Sequence, residues 1–129
     1  MTVVALPNRM ASQWAAAQEA LVASLPVAGH PRLTEHADMA DQIRSEAGHP
    51  TRIWANRIAA IAVIAERRAD ASPTIGRRIA YLDVAAAATE LLLLTEMMHD
   101  VRPDKKALVL LGQAYHPAGA VVSVGSARP

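Results

Sequence analysis

Glu96-Met97-Met98-His99 sets a carboxylate and an imidazole three residues apart, which on a helix places both on one face. That is the pairing used for carboxylate-bridged di-metal sites, where each of two helices contributes such a pair and two further helices add a Glu each. Asp100 and Asp104 bring nearby carboxylates, but no second His follows at a matching spacing. With no Cys in the chain, any zinc or iron would fall to His and carboxylate oxygens alone. Thus Glu96, His99 and Asp100 read as the polar last turn of a helix, with His99 at its negative end, and no metal or other cofactor is expected.

The remaining His residues are scattered. His30 and His116 precede proline, as turn residues often do, and His36 falls on the apolar face of a helix, where a hydrogen-bonded core imidazole is expected. Arg44 and His49 form Arg-x4-His, a spacing that resembles the motif of HEPN ribonucleases, although here Gly48 and Pro50 flank the His. No Gly-x-Ser-x-Gly elbow, phosphate loop or dinucleotide fingerprint is present.

A basic quartet is the other concentration of chemistry. Arg67 and Arg68 close one helix, and Arg77 and Arg78 open the next across the turn Ala71-Ser72-Pro73-Thr74. Two guanidinium groups in a first helical turn oppose the macrodipole, and a bound anion there would relieve the repulsion. The string Ser72 to Ile79 also resembles the turn and recognition-helix start of a helix-turn-helix. The resemblance makes Arg67, Arg68, Arg77 and Arg78 candidate contacts to nucleic acid or another anion, and DNA regulation the alternative function. The whole chain, at a formal net charge of +1, exerts no strong pull on nucleic acid or anionic lipid, so such binding would have to be local.

The elements that would carry these residues are all helices. Asn8 caps a first helix with Met10, Trp14, Ala17, Leu21 and Leu25 on one face, ended by Pro26. Thr34 caps a second, with Leu33, His36, Ala40, Ile43 and Ala47 inward and Gly48 closing it. Thr51 starts a third, burying Ile53, Trp54, Ile58, Ile61, Ile64 and Ala65, and Ser72-Pro73 breaks it. The fourth runs from about Thr74 to Asp100, so apolar around its circumference that it must be covered on all sides, and it is expected to be the most buried. A short fifth spans Asp104 to Gln113. Val-rich Thr2 to Leu6 and Ala120 to Val124 read as extended segments able to pair with each other or with another chain.

The fold class is therefore all-α, a compact bundle of four to five helices with a central buried helix and short extended termini. One domain spans 1–129, with 1–7 and 117–129 as terminal arms. A chain of 129 residues lacking Phe must build this core from Ala, Leu, Ile, Val and Met. Its start lacks a basic leader, and no run suits a membrane span, so a cytoplasmic protein is expected. Function is read as protein association: a homo-oligomer, or an accessory or structural subunit of a larger assembly, of the kind found in phage or mobile-element systems. The partner surface is assigned to Leu91, Leu92, Leu93, Leu94, Met97 and Met98, with Val121 and Val122 from the tail.

Overall fold

A computed structural model describes the backbone of residues 2–47 and 50–106, and side chains within 9–42 and 50–106. Among the described residues four helices follow one another: α1 (Thr2–Ala28), α2 (Pro31–Ala47), α3 (Arg52–Ala71) and α4 (Ile75–His99). Each packs on its sequence neighbours, and α1 also closes against α4, making an all-α bundle. No helix among the described residues is long and apolar enough to cross a membrane.

The helix ends show which local signals prevail. Residues 2–6 are helical, not extended: Thr2 to Leu6 is too short a run to distinguish strand from helix by period, and α1 continues from it through Pro7 into the Ala-rich stretch beyond Ala11. Nor does Pro26 end α1. The helix passes through it, forgoing one backbone hydrogen bond, and stops where Gly29 turns left-handed at φ +69° with its N–H donating to the Leu25 carbonyl at 3.1 Å. α2 then begins three residues before Thr34. Pro31 takes the first helical position, and His30 is the cap, its Nδ1 accepting the Arg32 N–H at 3.3 Å.

The third and fourth helices start as the sequence leads one to expect. Thr51 and Thr74 are both extended N-caps whose hydroxyls accept the N–H groups of Trp54 and Arg77. Asp100, left-handed at φ 54°, closes α4. The fifth helix expected from Asp104 lies almost wholly outside the described residues, as do Ala120 to Val124.

The bundle has a central buried helix, but it is α3 instead of α4. Nine of the twenty residues of α3 are buried, against eight of twenty-five in α4. The cause is the Ala series 55, 59, 62, 65 and 69, all buried, which lets α2 and α4 approach α3 closely on two sides. Trp54, Ile58 and Ile61 are fully buried and Ile64 packs on the core, whereas Ile53 faces outward. In α1 the expected face is inward, Ala17, Leu21 and Leu25 being buried; so are Leu33 and Ala40 of α2.

Two indoles meet at the centre, Trp14 of α1 and Trp54 of α3, with ring centroids 6.3 Å apart. Trp14 Nε1 donates to Thr95 Oγ1 of α4 at 2.8 Å, and that hydroxyl donates to the Leu91 carbonyl at 2.7 Å. Trp54 Nε1 donates to the Ala40 carbonyl of α2 at 3.3 Å. Replacing Thr95 with Val keeps the shape and removes the acceptor, leaving the Trp14 N–H unpaired. Thr95→Val should cost about 1–3 kcal/mol of unfolding free energy in chemical denaturation, with the helix signal of the folded state unchanged.

Candidate functional sites

The circumferential apolarity of α4 resolves into two separate faces. Tyr81, Val84, Ala85, Ala88, Leu91, Leu92 and Thr95 point into the bundle. On the opposite side Ile75, Ile79, Leu82, Leu93 and Met97 are between 41 and 76 % exposed, and Ala86 is exposed among them. The spacing of four, three and four from Ile75 to Ala86 is that of one helical stripe, and Leu93 and Met97 extend it at the same azimuth, five turns beyond Ile75 and Ile79. From Ile75 to Met97 the stripe is about 33 Å long at the α-helical rise.

The partner surface assigned from sequence is therefore partly misplaced. Leu91, Leu92 and Leu94 are core residues of their own chain, because α1 and α3 cover that side of α4; Leu93 and Met97 do face outward, and Met98 is half-buried. Val121 and Val122 lie outside the described residues. Ile75, Ile79 and Leu82 were the missed members, and their four-three spacing was the signal.

The Glu-x-x-His pair is pulled apart by its neighbours. Glu96 faces solvent against Arg102 at 3.5 Å, while the His99 ring packs on Trp14 with centroids 5.1 Å apart. Among the described residues no three His, Asp or Glu side chains gather to hold a metal ion. The chain following α4 is latched to the start of α3 by Asp104, which accepts from Asn56 Nδ2 at 2.9 Å, donates its backbone N–H to Asn56 Oδ1 at 2.7 Å and pairs with Arg52 at 3.5 Å. Arg44 and His49 fall where side chains are not described.

The Arg quartet is divided by the fold. Arg77 Nη1 donates to the Ala28 carbonyl at the end of α1 at 2.9 Å, and Arg78 Nη2 donates to the Ser72 carbonyl at 3.3 Å. Both guanidinium groups thus cap carbonyls at the turn ends. Arg67 and Arg68 are exposed, and neither forms an ion pair with Asp70 or Asp83. Arg68 and Arg77 line a cleft of about 480 Å³ between the α1–α2 and α3–α4 turns; Arg67 and Arg78 do not. His30 shares this cleft, and burial of its ring, then the guanidinium groups of Arg68 and Arg32, hold its pKa below the ordinary imidazole value.

His36 is half-buried, and its Nδ1, expected from the sequence to be hydrogen-bonded, has no partner. Burial first, then Arg57, depress its pKa; Arg32 acts in the same direction and Glu35 opposes. No protein-family model, curated protein or solved structure matches this chain.

A depressed imidazole pKa means the folded chain binds the proton less readily than the unfolded one. Its stability is complete above the unfolded value of 6.5 and declines as pH falls below that value toward the folded one. Melting temperature should therefore drop as pH falls from about 7 toward 5, against the opposing relief of Glu66, whose carboxyl is held above its ordinary pKa by burial and then by Asp70. His36→Gln should flatten that slope, and an unchanged slope would show that His36 does not cause it.

Proposed function

We propose that the protein is a homo-oligomeric assembly subunit that associates through the outer face of α4. The observation that carries this reading is the self-complementarity of the stripe about Ala86. A two-fold axis there sets Ile75 opposite Met97 of the second copy and Ile79 opposite its Leu93, with the two small Ala86 side chains at the closest approach. One residue patch then serves both chains. Isolated apolar side chains are ordinary on a surface, but a row of five along 33 Å of one helix is more than a monomer usually leaves wet.

Charge supports the antiparallel sense on one flank. Arg78 and Glu96 lie on the same side of the stripe, eighteen residues or about five turns apart, so antiparallel pairing brings each within side-chain reach of the other's counterpart. On the other flank Asp83 and Glu90 face each other across the axis, a like-charge contact that limits affinity. DNA readout is the weaker alternative, because the exposed side of the first turns of α4 offers Ile75, Ile79 and Leu82 where a recognition helix needs polar groups for base edges.

Sedimentation equilibrium of the wild type should give a dimer mass in the micromolar range. Leu93→Glu and Ile79→Glu should each raise the dissociation constant at least about tenfold, since a two-fold contact loses every substituted residue twice. Circular dichroism should be unchanged, both positions being exposed. Asp83→Lys tests the sense of pairing: it should tighten an antiparallel dimer by turning the Asp83–Glu90 repulsion into attraction, and would weaken a parallel one, where Asp83 meets Arg78. A wild type that remains monomeric at hundreds of micromolar would overturn the reading.

A further inference from the structure

We propose that the cleft between the α1–α2 and α3–α4 turns is a binding site for the phosphoryl group of a small organic phosphate. Its polar lining is one-sided: two guanidinium groups, an imidazole, a phenol and a serine, without a single carboxylate. Arg68 makes no ion pair with any described residue and is free to fork onto phosphate oxygens. Arg77 is fixed in place by its bond to the Ala28 carbonyl, which uses one of its five N–H groups and leaves the others.

Two further groups point to a ligand. Tyr81 is buried as a residue and lines the cleft, and its hydroxyl, which forms no hydrogen bond with a described residue, is open to the cleft and available to donate to a ligand. His30 stands beside it with ring centroids 6.5 Å apart, and because its Nδ1 accepts the Arg32 N–H, a neutral ring carries its proton on Nε2 as a donor. The amides at the start of α2 add nothing direct: those of Arg32, Leu33 and Thr34 are already given to His30. The donors are therefore side chains from three elements, converging from the α1–α2 turn, the end of α3 and the first turns of α4.

The size of the space decides between ligands. A cavity of about 480 Å³ falls in the range of small-molecule sites and exceeds what inorganic phosphate would fill, so an organic remainder is expected beyond the phosphoryl group. A duplex backbone presents a convex ridge of phosphates to flat or projecting basic surfaces, and Arg67, which such a surface would use, lies outside the cleft.

The test is calorimetric titration of the full chain with inorganic phosphate, AMP and a short duplex DNA, alongside Arg68→Gln, Arg67→Gln and Tyr81→Phe. AMP should bind at one site per chain and more tightly than inorganic phosphate. Arg68→Gln should weaken it at least about tenfold and Tyr81→Phe severalfold, while Arg67→Gln should stay within about twofold, with all three variants melting as folded proteins. Inorganic phosphate binding as tightly as AMP would remove the organic remainder and with it the proposal's ligand class. No binding of phosphate or AMP at millimolar concentration, or equal loss in Arg67→Gln and Arg68→Gln, would overturn the site. Duplex binding without AMP binding would replace it with a nonspecific basic surface.

Discussion

A core without phenylalanine depends on its two indoles, and each indole brings a polar N–H into the interior that has to be satisfied there. Trp14 satisfies its own on Thr95 and so ties α1 to α4; Trp54 uses the Ala40 carbonyl and ties α3 to α2. Because the two rings also touch, the four helices share one centre. Their relative rotation is set there, and everything at the surface follows from it. With Thr95 inward, Leu91 and Leu92 must also be inward, and Ile75, Ile79, Leu82, Leu93 and Met97 must be outward.

The outward stripe and the basic cleft occupy different parts of the molecule, yet both depend on how α4 is set against its neighbours. Its N-terminal turn is anchored by the Thr74 cap and by Arg77, which reaches across to the last carbonyl of α1. That single guanidinium both closes the bundle end and walls the cleft. Its neighbour Arg78 serves the adjoining turn through Ser72. The residues that look alike as a quartet in the sequence are all exposed, but Arg77 and Arg78 also hold turn carbonyls, and Arg68 alone lines the cleft with no ion pair or carbonyl bond from its guanidinium to a described residue.

Much of the fold is legible in the sequence because helix caps act locally. Thr51, Thr74 and Asp100 sit at the ends where their types place them, and the inward faces of α1 and α3 follow a simple period. The errors have two sources: local signals that compete with one another, and choices that tertiary contacts make. Pro26 is a weaker stop than the left-handed Gly29 three residues on. Which of two strongly apolar helices is central depends on the Ala spacing of α3, whose value appears only when two neighbours press on it. The split of α4 into two faces was present as a four-three repeat, but the unbroken run Leu91 to Leu94 hid it. The cleft was not legible at all, since it joins residues far apart in the chain, His30 with Arg68, Arg77 and Tyr81.

The central claim is that the outer face of α4 meets a second copy of itself about Ala86. The chain has no cysteine, so a single one placed there reports the contact without background. Ala86→Cys, oxidised under mild conditions, should convert to a disulfide-linked dimer with its helix content intact, and a mixture of Ile75→Cys and Met97→Cys chains should cross-link to each other in preference to themselves. Failure of Ala86→Cys to cross-link while the protein sediments as an oligomer would place the interface elsewhere and contradict the account.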